Sequence, residues 1–214
     1  MEVRSSNVVK WGGVALLVVM HVVGIVGLHS SHSDSFAALT PVNLLVAFLV
    51  ISPFYTSAWK NLLSFFLIAF LIGMLVEILG VQTGYPFGTY HYTSILGLSV
   101  AGVPLLIGLN WFLLAAGILS VVNRMLHSAS IFFRSFCAAF LMTSLDFLIE
   151  PFAIKYRLWV WESSAVPIQN YLAWFFISFI IFLIGFQLLP KEKNKVAGWL
   201  IVIFYMFFGL NLLL

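Results

Sequence analysis

The chain has 214 residues, 63% of them hydrophobic and only 8% charged, against roughly 25% charged in an average soluble domain. This excludes a soluble globular domain and identifies an integral membrane protein, read as one membrane domain over residues 1–214. The formal net charge of +3 follows from the placement of lysines and arginines in membrane loops, and calls for no nucleic acid or acidic ligand.

An apolar helix needs about 18 to 20 residues to cross the hydrocarbon layer, and seven segments approach that: 11–28, 36–54, 62–79, 103–122, 130–150, 167–189 and 196–214. The expected architecture is an all-α polytopic bundle of about seven transmembrane helices. The first segment follows Arg4 and Lys10 but is longer than a signal core and lacks a small-x-small cleavage site, so it is expected to be a retained helix. In the second, Thr40-Pro41 suits a helix start and Ser52-Pro53 interrupts the end, so its regular part is expected to be short. The third carries Glu77 about one turn from its end.

Residues 80–102 then run without one charged side chain, too glycine-rich and polar to span and too aromatic for an ordinary solvated loop. Such a segment is expected to fold over the outer side of the bundle. The fourth span carries Asn110 and Trp111, the fifth Cys137, Asp146 and Glu150, and the sixth opens on Gln169 and Asn170. The lone cysteine excludes a disulfide within the chain. The last span holds no lysine, which excludes a retinal Schiff base there.

Lysine and arginine concentrate in short cytoplasmic loops. Placing the N-terminus in the cytoplasm and the C-terminus outside puts Arg4, Lys10, Lys60, Arg124, Arg134, Lys191, Lys193 and Lys195 inside, with only Lys155 and Arg157 outside. A multi-pass protein of the cell (cytoplasmic) membrane is expected. With this orientation Glu77, Asp146 and Glu150 lie embedded near the outer surface, where Asn110, Gln169 and Asn170 join them. Ionisable groups within spans are costly and mark function by default. Asp146 and Glu150, four residues and roughly 6 Å of rise apart, share a helix face. Like charges so placed repel, and one of the pair is expected to stay a neutral acid.

Tyr85, Phe87, Tyr90 and Tyr92 line the uncharged loop, and Trp159, Trp161, Tyr171 and Trp174 surround the connection between the fifth and sixth spans. Two readings stand: an interfacial aromatic belt, or aromatic faces that stabilise a carbocation beside the carboxyl groups. His29, His32 and His91 are too few for an oxygen-activating di-iron site, and no metal is expected. No phosphate-binding glycine motif is present, and no nucleotide or other cofactor is expected.

The run Glu77-x-x-Gly80-x-x-Thr83-Gly84-Tyr85-Pro86-Phe87-Gly88-x-Tyr90-x-Tyr92, with Leu96-Gly97, Gly102-Val103-Pro104 and Trp111, resembles the membrane carotenoid biosynthesis proteins of the carotenoid 1,2-hydratase type. That family includes γ-carotene 1′,2′-hydratases and bisanhydrobacterioruberin hydratases. Asp146-x-x-x-Glu150-Pro151, Trp159-x-Trp161, Val166-Pro167-x-x-Asn170 and Trp174 are similar to its second half, so the resemblance covers about residues 70–180. One departure is Ala165 where the family pattern has glycine before Val166-Pro167.

The resemblance implies cofactor-free hydration of the terminal double bond of an acyclic carotenoid end group, by a hydro-lyase working within the lipid bilayer. The implied substrate is γ-carotene, lycopene or a related polyene, and other carotenoid pathway enzymes are potential partners. Asp146 is expected to donate the proton, tuned by Glu150, with Glu77 orienting water and Tyr85, Tyr90, Tyr92, Asn110, Trp111, Trp159, Trp161, Asn170 and Trp174 around the substrate. The carboxyl roles are exchangeable at this level. An end-group cyclase would use the same acid chemistry without water. A proton-coupled transporter would need polar groups through the whole membrane thickness.

Overall fold

The computed structural model describes residues 7–214; Glu2 and Arg4 lie outside the described residues. The helices are α1 (Asn7–Leu28), α2 (Ser33–Ala37), α3 (Thr40–Ile51), α4 (Trp59–Thr83), α5 (Leu105–Met125), α6 (Ile131–Lys155), α7 (Ile168–Leu188) and α8 (Lys195–Leu213). Among the described residues seven helical segments, with α2 and α3 counted as parts of one, are long and apolar enough to cross a membrane. The chain is a multi-pass membrane protein with the expected all-α bundle.

The second span has the short regular part expected from Pro41 and Pro53, whereas the third runs past residue 79 through Gly80 to Thr83 and the fifth runs past Pro151. The second span is broken into α2 and α3, with Pro41 in the first turn of α3 and a closing 3-10 turn at Ser52–Phe54. The fifth span continues past Pro151 to Lys155. Pro151 cannot bond Phe147 O and its ring crowds that carbonyl, but the following turn closes normally, with Tyr156 N–H donating to Phe152 O at 3.0 Å.

α5 is the axis of the bundle, 78% buried over its apolar window, and it packs on α3, α4, α6, α7 and α8. Membrane helices approach closely only where side chains are small. Gly73 on α4 shows why: a Cβ there would lie 2.5 Å from the Trp111 ring. On the far side α1 packs against α8, which also touches α6.

Between α4 and α5 the uncharged segment is ordered by short strands. α4 ends on Gly84, left-handed at φ 75°, with its N–H bonded to Gly80 O at 2.8 Å. β1 (Tyr90–Tyr92) pairs antiparallel with β4 (Trp159–Trp161), the connection between α6 and α7, and β2 (Ser99–Val100) pairs with β3 (Val103–Pro104) through a turn at Ala101 and Gly102, both at positive φ. The segment and the α6–α7 connection thus form one ribbon across one end of the bundle. We call this the lid end.

Gly88 fixes how closely that ribbon sits. Its φ of 122° disfavours any side chain, and a Cβ would lie 2.8 Å from Pro167 and 3.0 Å from Trp161. Gly88→Ala is expected to lower stability by about 1–3 kcal/mol, read as a lower unfolding temperature in detergent.

Buried polar residues recur at the opposite end of the bundle. Glu192, fully buried, accepts the Thr56 and Ser57 backbone N–H groups at 2.9 and 2.8 Å, and Asn123 donates to Leu189 O and Glu192 O. Asn194 caps α8 through the Val196 and Ala197 N–H groups. Most of these donors and acceptors close loops and helix ends, while Asn123 Oδ1 is buried without a partner.

Candidate active site

The register of the β1–β4 ribbon decides which aromatic side chains face inward. Tyr90 lies opposite Trp161 and Tyr92 opposite Trp159, with His91 opposite Val160 between them. Side chains alternate along a strand, so the two tyrosines and two tryptophans share the face toward the helices. His91 and Val160 take the other face and are exposed.

Beneath this roof stand the three embedded carboxyl groups, all buried. Glu77 accepts from the Tyr90 hydroxyl and, at 2.7 Å, from the Tyr92 hydroxyl on Oε2, and from Trp111 Nε1–H at 3.1 Å on Oε1. Glu150 Oε2 accepts from Trp159 and Trp161 Nε1–H at 3.0 and 2.9 Å. Asp146 Oδ2 accepts from Asn170 Nδ2 at 3.0 Å. The inward-facing ribbon residues therefore divide their donors, tyrosines to Glu77 and tryptophans to Glu150. Burial, reinforced by the neighbouring Glu77, pushes the Tyr90 and Tyr92 phenols well above their ordinary range, so both remain neutral donors.

The distribution of donors is unequal. Both oxygens of Glu77 are engaged, whereas among the described residues no donor reaches Asp146 Oδ1 or Glu150 Oε1. These three carboxyl groups, Tyr90, Tyr92, Asn110, Trp111, Trp159, Trp161, Asn170 and Trp174 line one cavity of about 30 Å³, room for one or two water molecules. Trp111 and Trp174 stack directly on each other in its wall, with ring centroids 4.0 Å apart and planes 10° from parallel. Tyr90 and Trp161 add a second aromatic pair at 4.9 Å.

Tyr85 does not belong to this assembly. It lies 72% exposed on the lid, because the chain turns between it and β1. Gln169, grouped with the polar cluster by sequence, is exposed and reaches Gly84 O at 3.5 Å, tying the lid base to α7. Phe87, Ile107 and Ile149 also line the cavity and were not selected from sequence as site residues. For the isoleucines the available signal was spacing: Ile149 lies three residues from Asp146 and Ile107 three from Asn110, each on the same helix face.

No solved structure matches the chain. A relative, bisanhydrobacterioruberin hydratase of Haloarcula japonica, is 28% identical over 121 residues, an alignment spanning 52% of this chain and 41% of that protein. The chain therefore spans less than half the length of that relative. The family model described as "Carotenoid biosynthesis protein" matches residues 36–214 and so includes the lid, the aromatic ribbon and all three carboxyl groups. A match over that much of the sequence establishes that the chain belongs to the carotenoid biosynthesis protein family.

Proposed function

We propose that this protein hydrates the terminal double bond of an acyclic carotenoid end group, forming a tertiary alcohol. The observation that carries the reading is a water-sized chamber at the lid end in which two adjacent carboxyl groups each keep one oxygen without a protein donor. The hydratase relative supports the reaction class. The lid end is the extracytoplasmic side in the orientation favoured by the basic loops.

In the first step Asp146, as the neutral acid, delivers its proton to C2 of the end group. The double-bond electrons form the new C–H bond and leave a tertiary cation at C1. The stacked Trp111–Trp174 pair and the Tyr90–Trp161 pair present electron-rich faces to that cation. In the second step a water held by Glu150 Oε1 adds to C1, and its proton passes to Glu150. Proton exchange between the two carboxyl groups resets the site, so one water is consumed and no cofactor is needed.

Glu77 receives a different role from the one expected by sequence. With three protein donors on its two oxygens most of its acceptor capacity is spent on the ribbon and on Trp111, and it is assigned to holding the roof over the chamber. Asn170, buried beside Asp146, fixes the orientation of the proton donor.

Expression in a lycopene- or γ-carotene-producing host, followed by mass analysis of the pigments, tests the reading. A product heavier by one water is expected. A product of unchanged mass would replace hydration with cyclisation, and unaltered pigment would remove both.

A further inference from the structure

The carboxyl chamber is too small for a branched hydrocarbon end group, so a substrate must reach it by moving part of its wall. A second cavity, about 240 Å³, lies beside it among α1, the α2–α3 segment, α5, α6 and α8. Its walls are chiefly apolar, with Phe152, Phe204 and Phe207 supplying flat aromatic surface. Its lining includes Leu39, in the turn between α2 and α3, and Val42 on α3, 51% and 50% exposed. Of the residues lining the two cavities, Asn110 is common to both.

Four polar side chains interrupt the apolar lining, His21, Thr40, Asn43 and Asn110, and the Thr40 hydroxyl donates to Ala37 O at 2.7 Å. His21 donates Nδ1–H to Leu17 O at 2.7 Å and packs its ring against Phe204 and Phe207. Asn43 and Asn110 make no side-chain hydrogen bond among the described residues. A carboxamide without a partner within a membrane span is costly unless it serves a ligand or a passage. Turning the Asn110 side chain breaks no protein hydrogen bond, so it is the easiest part of the shared wall to move.

We infer that this groove holds the polyene chain of the substrate and that Asn110 is the gate through which the end group enters the carboxyl chamber. The inference rests on the carotenoid reading above and adds the route and the binding surface. A conjugated chain dissolved in the bilayer enters over Leu39 and Val42 and lies along the phenylalanine faces. Its terminal isoprene unit then displaces Asn110 to meet Asp146. The chain itself needs no polar contact, which is why the binding surface is apolar while the chemistry beyond the gate is not.

The test fills the groove and separates binding from turnover. Purified protein in lipid nanodiscs is loaded with lycopene, washed, and assayed for retained pigment by visible absorbance and for hydrated product by mass. Gly24→Leu projects into the groove, since a Cβ at Gly24 meets only the Phe207 ring at 3.3 Å and 3.9 Å. Val42→Trp fills the groove at its exposed lining and keeps the test valid should the first variant fail to fold.

Both variants are expected to retain about tenfold less pigment than wild type. Asp146→Asn is expected to retain it fully without product. Leu45→Trp, on the same helix but outside the groove and 48% exposed, is expected to match wild type in both assays. Wild-type retention and product in folded filled variants would overturn the groove assignment and leave a lipid acyl chain as its occupant. Pigment lost on filling, with no hydrated product from wild type, would uphold the groove and sink the hydration reading instead.

Discussion

Asp146→Asn is expected to leave no more than about a hundredth of wild-type hydrated product, because general acid catalysis contributes typically 10²- to 10⁴-fold. The substitution keeps the size and an acceptor oxygen for Asn170 Nδ2, so the packing beneath the lid is retained while the acidic proton is lost. Glu150→Gln is expected to behave alike, since its amide oxygen still accepts from Trp159 and Trp161 but no longer takes a proton from the attacking water. Product from a heterologous host, normalised to folded protein in the membrane, provides the measurement. Wild-type yield from both variants would remove the carboxyl pair from the mechanism. Loss in only one would show which of the two performs the rate-limiting proton transfer.

Glu77→Ala is expected to have the largest effect on stability. It strips the acceptor from the Tyr90 and Tyr92 hydroxyls and the Trp111 indole at once, and each buried donor left unsatisfied costs roughly 1–3 kcal/mol. A loss on the order of 3 kcal/mol or more is expected, seen as a marked drop in unfolding temperature in detergent. Glu77→Gln retains an amide oxygen for part of this network, so it is expected to recover a substantial part of the loss. An alanine variant as stable as wild type would show that the roof is held by ribbon pairing alone. Because Glu77 is assigned to positioning, the glutamine variant should also recover product, which Asp146→Asn and Glu150→Gln do not.

The aromatic ribbon shows where sequence reading stops. Tyr90, Tyr92, Trp159 and Trp161 each stand out as polar-tipped aromatic residues, yet an interfacial belt and an active-site roof use the same side chains. The antiparallel register between residues 67 to 71 positions apart in the chain sends their donors onto Glu77 and Glu150. Tyr85 illustrates the converse. It belongs to the same aromatic run in sequence, but the turn that follows it leaves its ring outside the cavity. Asn110 was selected for its depth alone, and only packing shows that it belongs to two cavities.

The sequence by itself determined the membrane setting, the approximate spans, the embedded carboxyl groups and the family resemblance. These rest on local quantities: apolar run length against bilayer thickness, the cost of an ionisable group in hydrocarbon, and fixed motif spacings. Tertiary structure alone decided which carboxyl oxygens are occupied, which aromatic rings face them and that a second, chiefly apolar cavity shares Asn110 with the chamber. Those features depend on contacts between segments distant in the chain, such as Tyr90 with Trp161 and Trp111 with Trp174. Helical and strand periodicity set the side of an element on which a residue lies, while packing sets what that side meets.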